Sequence, residues 1–240
     1  MVAVIAPGPI LSARGLTKHF GGLKAVENVD FDLTKGQVHA LIGPNGAGKT
    51  TFVGLLSGRL AASAGRIEFD GQDITSLAAH SRAVRGIAYT FQITSIYTNL
   101  PVFDNVALAI QSRGSKTLKA ESLAALDRVG LGSRADQIAG TLAYGHQRLL
   151  EVAMGLAMQP KLLILDEPTQ GLGTAEIEVF NQLVRAITPE VTVLLIEHNM
   201  DVVMNLADRI TVLNFGEKLA TGTRAQIRAD PAVQAAYLGG

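Results

Sequence analysis

Residues 43–50 read Gly-Pro-Asn-Gly-Ala-Gly-Lys-Thr, and Thr51 leads on into a helix-competent stretch, Phe52 to Ser57. An apolar run, Val38-His39-Ala40-Leu41-Ile42, comes immediately before. A strand that enters a glycine-rich loop and leaves it as a helix is built to hold a polyphosphate. Gly43, Gly46 and Gly48 let the backbone wrap closely with its N–H groups turned inward, and the helix start adds the positive end of its dipole. Lys49 is suited to reach the β and γ phosphates, and the Thr50 hydroxyl to ligate Mg²⁺. Pro44, Asn45, Ala47 and Thr51 complete the cradle. The loop predicts a nucleoside triphosphate site.

Further along the chain, Leu162 to Leu165 ends in Asp166-Glu167-Pro168, Val193 to Ile196 ends in Glu197-His198-Asn199, and Ile210 to Leu213 forms another short apolar run. Such runs read as strands buried on both faces. Between them lie helical patterns, as at 174–187, where Ile177, Phe180, Val184 and Ile187 recur at spacings of three or four. The pattern predicts an α/β fold with a largely parallel sheet. Asp166 and Glu167 then sit at the carboxyl end of a strand, where such sheets bind ligands. Asp166 is suited to hold Mg²⁺, directly or through water, and Glu167 to polarise an attacking water. His198 alone reads as a structural strand-end histidine. Beside the two preceding motifs it reads as a γ-phosphate contact.

Residues 10–39 alternate apolar and polar around Lys35-Gly36, with Val26, Val29, Phe31 and Leu33 as the apolar members, which predicts antiparallel strands and a turn. Residues 65–74 and 210–222 add hairpin-like pieces. From about Thr94 to Pro160 strand patterns give way to helical ones, notably at 121–129 and 146–158, so a helical insertion (94–159) interrupts a core made of 1–93 and 160–240. Met1 to Leu11, apolar with Pro7 and Pro9, reads as a loose leader without the charged start of a signal peptide.

Composition narrows the function. At 240 residues with 48% hydrophobic content the chain fits one domain with a subdomain. Twenty-one Lys and Arg balance twenty-one Asp and Glu, which removes the bulk electrostatic case for nucleic-acid binding. The absence of cysteine excludes disulfides, cysteine-ligated zinc and a thiol nucleophile. Mean hydropathy is positive, +0.26, yet no apolar run approaches the roughly eighteen residues of a spanning helix. A soluble chain docked to something else is the expectation.

Together these elements resemble the ATP-binding subunits of ABC transporters, which carry a P-loop NTPase (RecA-like) core, an antiparallel β subdomain and an α-helical subdomain. The resemblance covers residues 10–240. Its most discriminating piece is Leu142-Ala143-Tyr144-Gly145-His146-Gln147-Arg148, which looks like the signature segment that contacts the γ-phosphate held by a second subunit. The resemblance implies that two chains sandwich two ATP molecules with Mg²⁺. It also implies that Phe20 stacks on adenine, although an ordinary core phenylalanine is the alternative. Gln92, in Tyr89-Thr90-Phe91-Gln92, would sense Mg²⁺ and move with the helical subdomain, and His198 would be the switch histidine. Ala143 stands where the signature has serine, and Gly173 where an aspartate faces the partner subunit.

Within the family the chain is most similar to branched-chain amino-acid importers. The residues that carry this are Phe20-Gly21-Gly22-Leu23-Lys24-Ala25-Val26, Ala143-Tyr144-Gly145, Glu197-His198-Asn199-Met200-Asp201-Val202-Val203-Met204 and the tail from Asp230-Pro231 to Tyr237-Leu238-Gly239. Importers of urea or short amides, the lipopolysaccharide-export ATPase and soluble non-transport ABC ATPases share much of the pattern. The implied partners are two membrane permeases, a second ATP-binding subunit that need not be identical, and indirectly a periplasmic or extracellular substrate-binding protein, with no nucleic acid. The implied place is the cytoplasmic face of the inner membrane. A groove near Gln92 and Ile93 to Val102 would receive a permease helix. Ile96, Tyr97, Leu100 and Val102 suit docking there, or burial in a core.

Overall fold

The structure, a computed structural model, describes residues 8–90 and 95–238. From the N-terminus the elements are β1 Pro9–Phe20, β2 Leu23–Thr34, β3 Val38–Ile42, α1 Lys49–Ser57, β4 Ala64–Phe69, β5 Gln72–Asp73, α2 Ala79–Val84, β6 Ile87–Thr90, α3 Val102–Gln111 and α4 Leu118–Arg128. They continue with α5 Tyr144–Ala157, β7 Leu162–Asp166, α6 Thr174–Ile187, β8 Thr192–Ile196, α7 Met200–Leu206, β9 Arg209–Asn214, β10 Glu217–Gly222, α8 Arg224–Ala229 and α9 Pro231–Leu238. The chain divides into two compact units, 1–82 with 207–240, and 83–206.

In the first unit β1 and β2 form a long antiparallel ladder whose far side of β1 pairs with β4, and β5 follows β4. Val29, Phe31 and Leu33 are buried while Asp30 and Asp32 are exposed, the period of a half-buried strand. Val26 is buried as well, three residues before Val29 rather than two. A bulge makes this possible: the register slips between Leu16 and Lys18, and Asn28 takes φ +47, a conformation asparagine tolerates better than most residues.

The hairpin turn lies at Gly21-Gly22, with Gly21 at φ +58. Lys35-Gly36 is therefore not the turn of an antiparallel pair, as its sequence suggests. It carries the chain from β2 into β3, which pairs in parallel with β9. The stretch Pro9 to Leu11 is likewise not a loose leader, because it opens β1 and buries Ile10 and Leu11. Residues 1–7 lie outside the described residues. Beside β3 and β9 runs β10, antiparallel to β9. Among these strands His39 is 1% exposed, its Nε2 2.8 Å from Thr211 Oγ1 and its ring against Phe31.

In the second unit β6, β7 and β8 run parallel, with β7 in the middle. Every residue of β7 and β8 is buried, as sheets covered on both faces require. Helices α3, α4 and α5 pack on one another, and α6 turns Phe180, Val184 and Ile187 inward. Among the described residues no helix is long and apolar enough to cross a membrane.

Candidate functional site

In the first unit the residues expected to hold phosphate lie on the loop between β3 and α1. Gly43 has φ +154, and a Cβ there would stand 2.3 Å from the Leu213 carbonyl oxygen; at Gly48, φ +93, it would stand 2.4 Å from that of Ala25. Both positions exclude every other residue, so these glycines are fixed by the packing of the loop against its own unit. Lys49 opens α1 and its Nζ donates to the carbonyls of Gly43 at 2.7 Å and Pro44 at 3.0 Å. The ammonium thus bridges the loop it belongs to. Asn45, Gly46 and Thr50 are exposed, Pro44, Gly48, Lys49 and Thr51 half-buried, and Ala47 buried. The first turn of α1 carries no acidic side chain, so no carboxylate of its own competes for the positive end of its dipole. At the other end Arg82, 1% exposed, donates to the carbonyls of Leu55 and Leu56 and so anchors the helix.

Phe20 closes β1 with 47% of its surface exposed and the Lys18 ammonium 5.1 Å from its ring centroid. It is not a core phenylalanine. The exposed ring is available for stacking.

In the second unit the residues expected to hold the metal and activate water lie at the carboxyl end of β7 and β8. Asp166 pairs with Ile196 across the ladder, so Asp166-Glu167 and Glu197-His198 leave neighbouring strands together. Asp166 is 4% exposed and accepts a hydrogen bond from the Tyr89 hydroxyl on β6. Glu167 takes φ +46, and His198 Nδ1 stands 3.6 Å from its Oε2. The carboxylate side chain is 19% exposed and the imidazole 58%, so the pair opens to solvent on the histidine side.

Three side chains without an assigned role in the sequence hold this end of the sheet. Arg148, 1% exposed on α5, donates from Nε to Pro168 O at 3.1 Å and from Nη2 to Glu167 O at 2.9 Å, and its Nη1 pairs with Glu151 at 2.6 Å. Glu197 receives donors from both loops, and Tyr89 contacts Asp166. Nothing in their spacing marks them: a buried arginine one turn into an amphipathic helix looks like any solvent-facing cation until its fold is known.

Ala143 is the N-cap of α5, with no side-chain capping bond, and Tyr144 and Gly145 form its first turn. Tyr144 is 45% exposed. Gly145 is buried, and a Cβ on it would fall 2.1 Å from Glu176 Oε1. The other Glu176 oxygen accepts from the Gly173 N–H at 2.9 Å, capping α6. Gln92 lies outside the described residues. In the same unit a groove of about 380 Å³ is lined by Tyr89, Ile96, Tyr97, Glu151, Met154 and Met158 among others. Val102, by contrast, is fully buried at the start of α3, so of the apolar residues expected to dock a partner it belongs to the core.

A profile of the ABC transporter family matches residues 26–170, and one of the branched-chain amino acid ATP-binding cassette transporters matches 217–240. The chain is 41% identical to the high-affinity branched-chain amino acid transport ATP-binding protein BraF of Pseudomonas aeruginosa, over 96% of this chain and 98% of that protein. It is 39% identical to the corresponding LivG of Escherichia coli, with the same coverage. Its fold matches the ADP conformation of MJ1267, an ATP-binding cassette of an ABC transporter, with a TM-score of 0.89 and 28% identity over 97% of this chain and 99% of that one.

Proposed function

The chain belongs to the ABC transporter family of ATP-binding proteins, and from that premise we propose that it is the subunit whose ATP hydrolysis energises import of branched-chain amino acids. The observation that carries the substrate class is the match of its last segment, 217–240, to the branched-chain cassette profile, added to full-length similarity to BraF and LivG. As a member of the family it binds and hydrolyses ATP.

In this reading the N–H groups of the 43–50 loop and Lys49 cradle the β and γ phosphates, which frees the lysine from its contacts with Gly43 and Pro44. Phe20 stacks on adenine. Glu167 polarises the attacking water, and His198 contacts the γ-phosphate. The pair's separation, 3.6 Å, and its opening to solvent support these roles, since a base must reach a water. Asp166 and the Thr50 hydroxyl would hold Mg²⁺, and Gln92 would sense it. One carboxylate and one hydroxyl suit this ion, which keeps several waters and shares its coordination with substrate phosphates. Bound there, Mg²⁺ would neutralise charge on the β and γ oxygens.

Ala143, Tyr144 and Gly145 present the start of α5 to a nucleotide held by a second ATP-binding subunit, non-identical given Ala143 and Gly173. Closure around two ATP molecules and reopening after hydrolysis drive two membrane permeases, and the 94–159 helical subdomain receives them at the groove of Ile96 and Tyr97. A substrate-binding protein delivers the amino acid, and the chain sits peripherally on the cytoplasmic face. Deleting the chain from its source cell is expected to abolish uptake of labelled leucine, isoleucine and valine. Wild-type protein restores it, and Glu167→Gln does not. Uptake that survives deletion would sink the substrate assignment, and wild-type ATPase rates in Glu167→Gln would sink the role of Glu167.

A further inference from the structure

Glu197 is 1% exposed, carries no part of the hydrolysis described above, and yet holds both loops that do. Its Oε1 accepts from the Thr169 N–H at 3.0 Å and the Thr169 hydroxyl at 2.5 Å, and its Oε2 accepts from the His198 N–H at 3.1 Å and the Asn199 N–H at 3.2 Å. Two donors thus come from the loop after Glu167 and two from the turn that bears His198. Pro168 has no N–H, so Thr169 is the first residue past Glu167 whose backbone can be held this way. Thr169 is also locked to Glu167 locally, because the Gln170 N–H closes a turn onto the Glu167 carbonyl at 3.2 Å. Fixing Thr169 therefore fixes Glu167. Only a carboxylate can accept on both oxygens; a glutamine would turn an NH₂ toward two of the four donors.

We propose that Glu197 is a positioning residue for ATP hydrolysis, clamping the Thr169 loop to the His198 turn so that Glu167 and His198 keep their mutual placement. The inference rests on the reading that Glu167 and His198 carry hydrolysis. Misplacing a reacting group by about 1 Å can cost on the order of a hundredfold, so the clamp's effect belongs in kcat and not in nucleotide binding.

The test is Glu197→Gln in the full chain. Its kcat for ATP is expected to fall about tenfold or more while KM and ATP affinity stay within about twofold. In a His198→Ala background the same change should cost less than in wild type, because one of the two groups the clamp aligns is already gone. A kcat within about twofold of wild type would overturn the proposal, as would an equal loss in both backgrounds, the mark of a merely structural residue. Should Glu197→Gln not fold, Thr169→Ala removes one of the four donors, and kcat is expected to fall about threefold at unchanged KM; an unchanged kcat overturns the clamp. NMR of the nucleotide-free protein separates this inference from the reading beneath it. Glu197→Gln or Thr169→Ala should shift the His198 imidazole resonances whether or not the wild type hydrolyses ATP, and unshifted resonances refute the clamp.

Discussion

Arg148→Met is expected to cost about 4 kcal/mol of stability, and the figure follows from what the guanidinium touches. The group is buried, 2.6 Å from a Glu151 carboxylate whose side chain is only 5% exposed. Removing one partner of a buried pair costs about 3–5 kcal/mol, because the remaining charge keeps its desolvation penalty and loses its counter-charge. Methionine also fails to donate to the carbonyls of Glu167 and Pro168, worth about 1 kcal/mol each, although these terms do not simply add. Against a total of roughly 5–15 kcal/mol for a folded domain, the variant should melt about 8–16 °C below wild type. Guanidinium chloride unfolding at constant m measures the loss. The double variant Arg148→Met with Glu151→Leu removes both charges at similar volume and should recover most of it, to within about 1–2 kcal/mol of wild type. A single variant that loses less than about 1 kcal/mol, or a double variant as unstable as the single, would refute the account of this pair.

Burial first, and then the Arg209 charge, hold the His39 imidazole down to about 3. As pH falls below about 6.5, where an unfolded histidine takes up a proton the folded one refuses, stability should drop by up to about 1.4 kcal/mol per pH unit, or roughly 2 kcal/mol between pH 6.5 and 5. His39→Leu should flatten that slope in denaturation curves recorded across the same window. Tyr89→Phe deletes only the hydroxyl that orients Asp166, so the Mg²⁺ concentration for half-maximal hydrolysis should rise about fivefold while ATP binding in EDTA is unchanged; an unaltered Mg²⁺ requirement would remove Tyr89 from the site. Ala143→Ser gives α5 the N-cap acceptor it lacks and should add about 1 kcal/mol in the same unfolding assay.

The parts of the site made from contiguous sequence are the parts a reader can find in the sequence. The 43–50 loop announces itself because glycine placement, lysine and hydroxyl all serve one ligand, and the buried strands ahead of Asp166 and His198 are unmistakable apolar runs. The β1–β2 hairpin was harder, since the bulge at Asn28 breaks the alternation on which strand reading depends and Lys35-Gly36 looks as much like a hairpin turn as Gly21-Gly22 does. In the helical region α3 carried a usable signal, Val102, Val106 and Ile110 at intervals of four and all fully buried, that was masked by its apolar neighbours. Arg148, Tyr89 and Glu197 were not legible at all. Their partners in residues 166–169 lie 18 to 20, 77 and 28 residues away respectively, and a long-range polar contact leaves no local periodicity behind.

That all three converge on residues 166–169 has a physical cause. Regular pairing ends inside this segment: Asp166 still pairs with Ile196 and the Glu167 N–H bonds the Ile196 carbonyl at 2.9 Å, but Glu167 takes a positive φ and Pro168 has no donor, so the chain leaves the ladder in a shape that costs energy. Side chains from three different elements supply what the backbone does not: Arg148 from α5, Tyr89 from β6 and Glu197 from the end of β8. The consequence is that a shift of any one of these elements is felt at the carboxylates. Of the three, α5 matters most to the proposed dimer, since its first turn is the stretch Tyr144-Gly145 that in that proposal would face a second nucleotide, and Arg148 lies one turn further along the same helix. A helix moves as a rigid body over one turn, so phosphate contact at its start is mechanically joined to the backbone of Glu167. On this view one site's hydrolysis depends on its chain's own signature being engaged by the nucleotide of the other, and Arg148→Met, even in the stabilised double variant with Glu151→Leu, should weaken that dependence while leaving ATP binding in place.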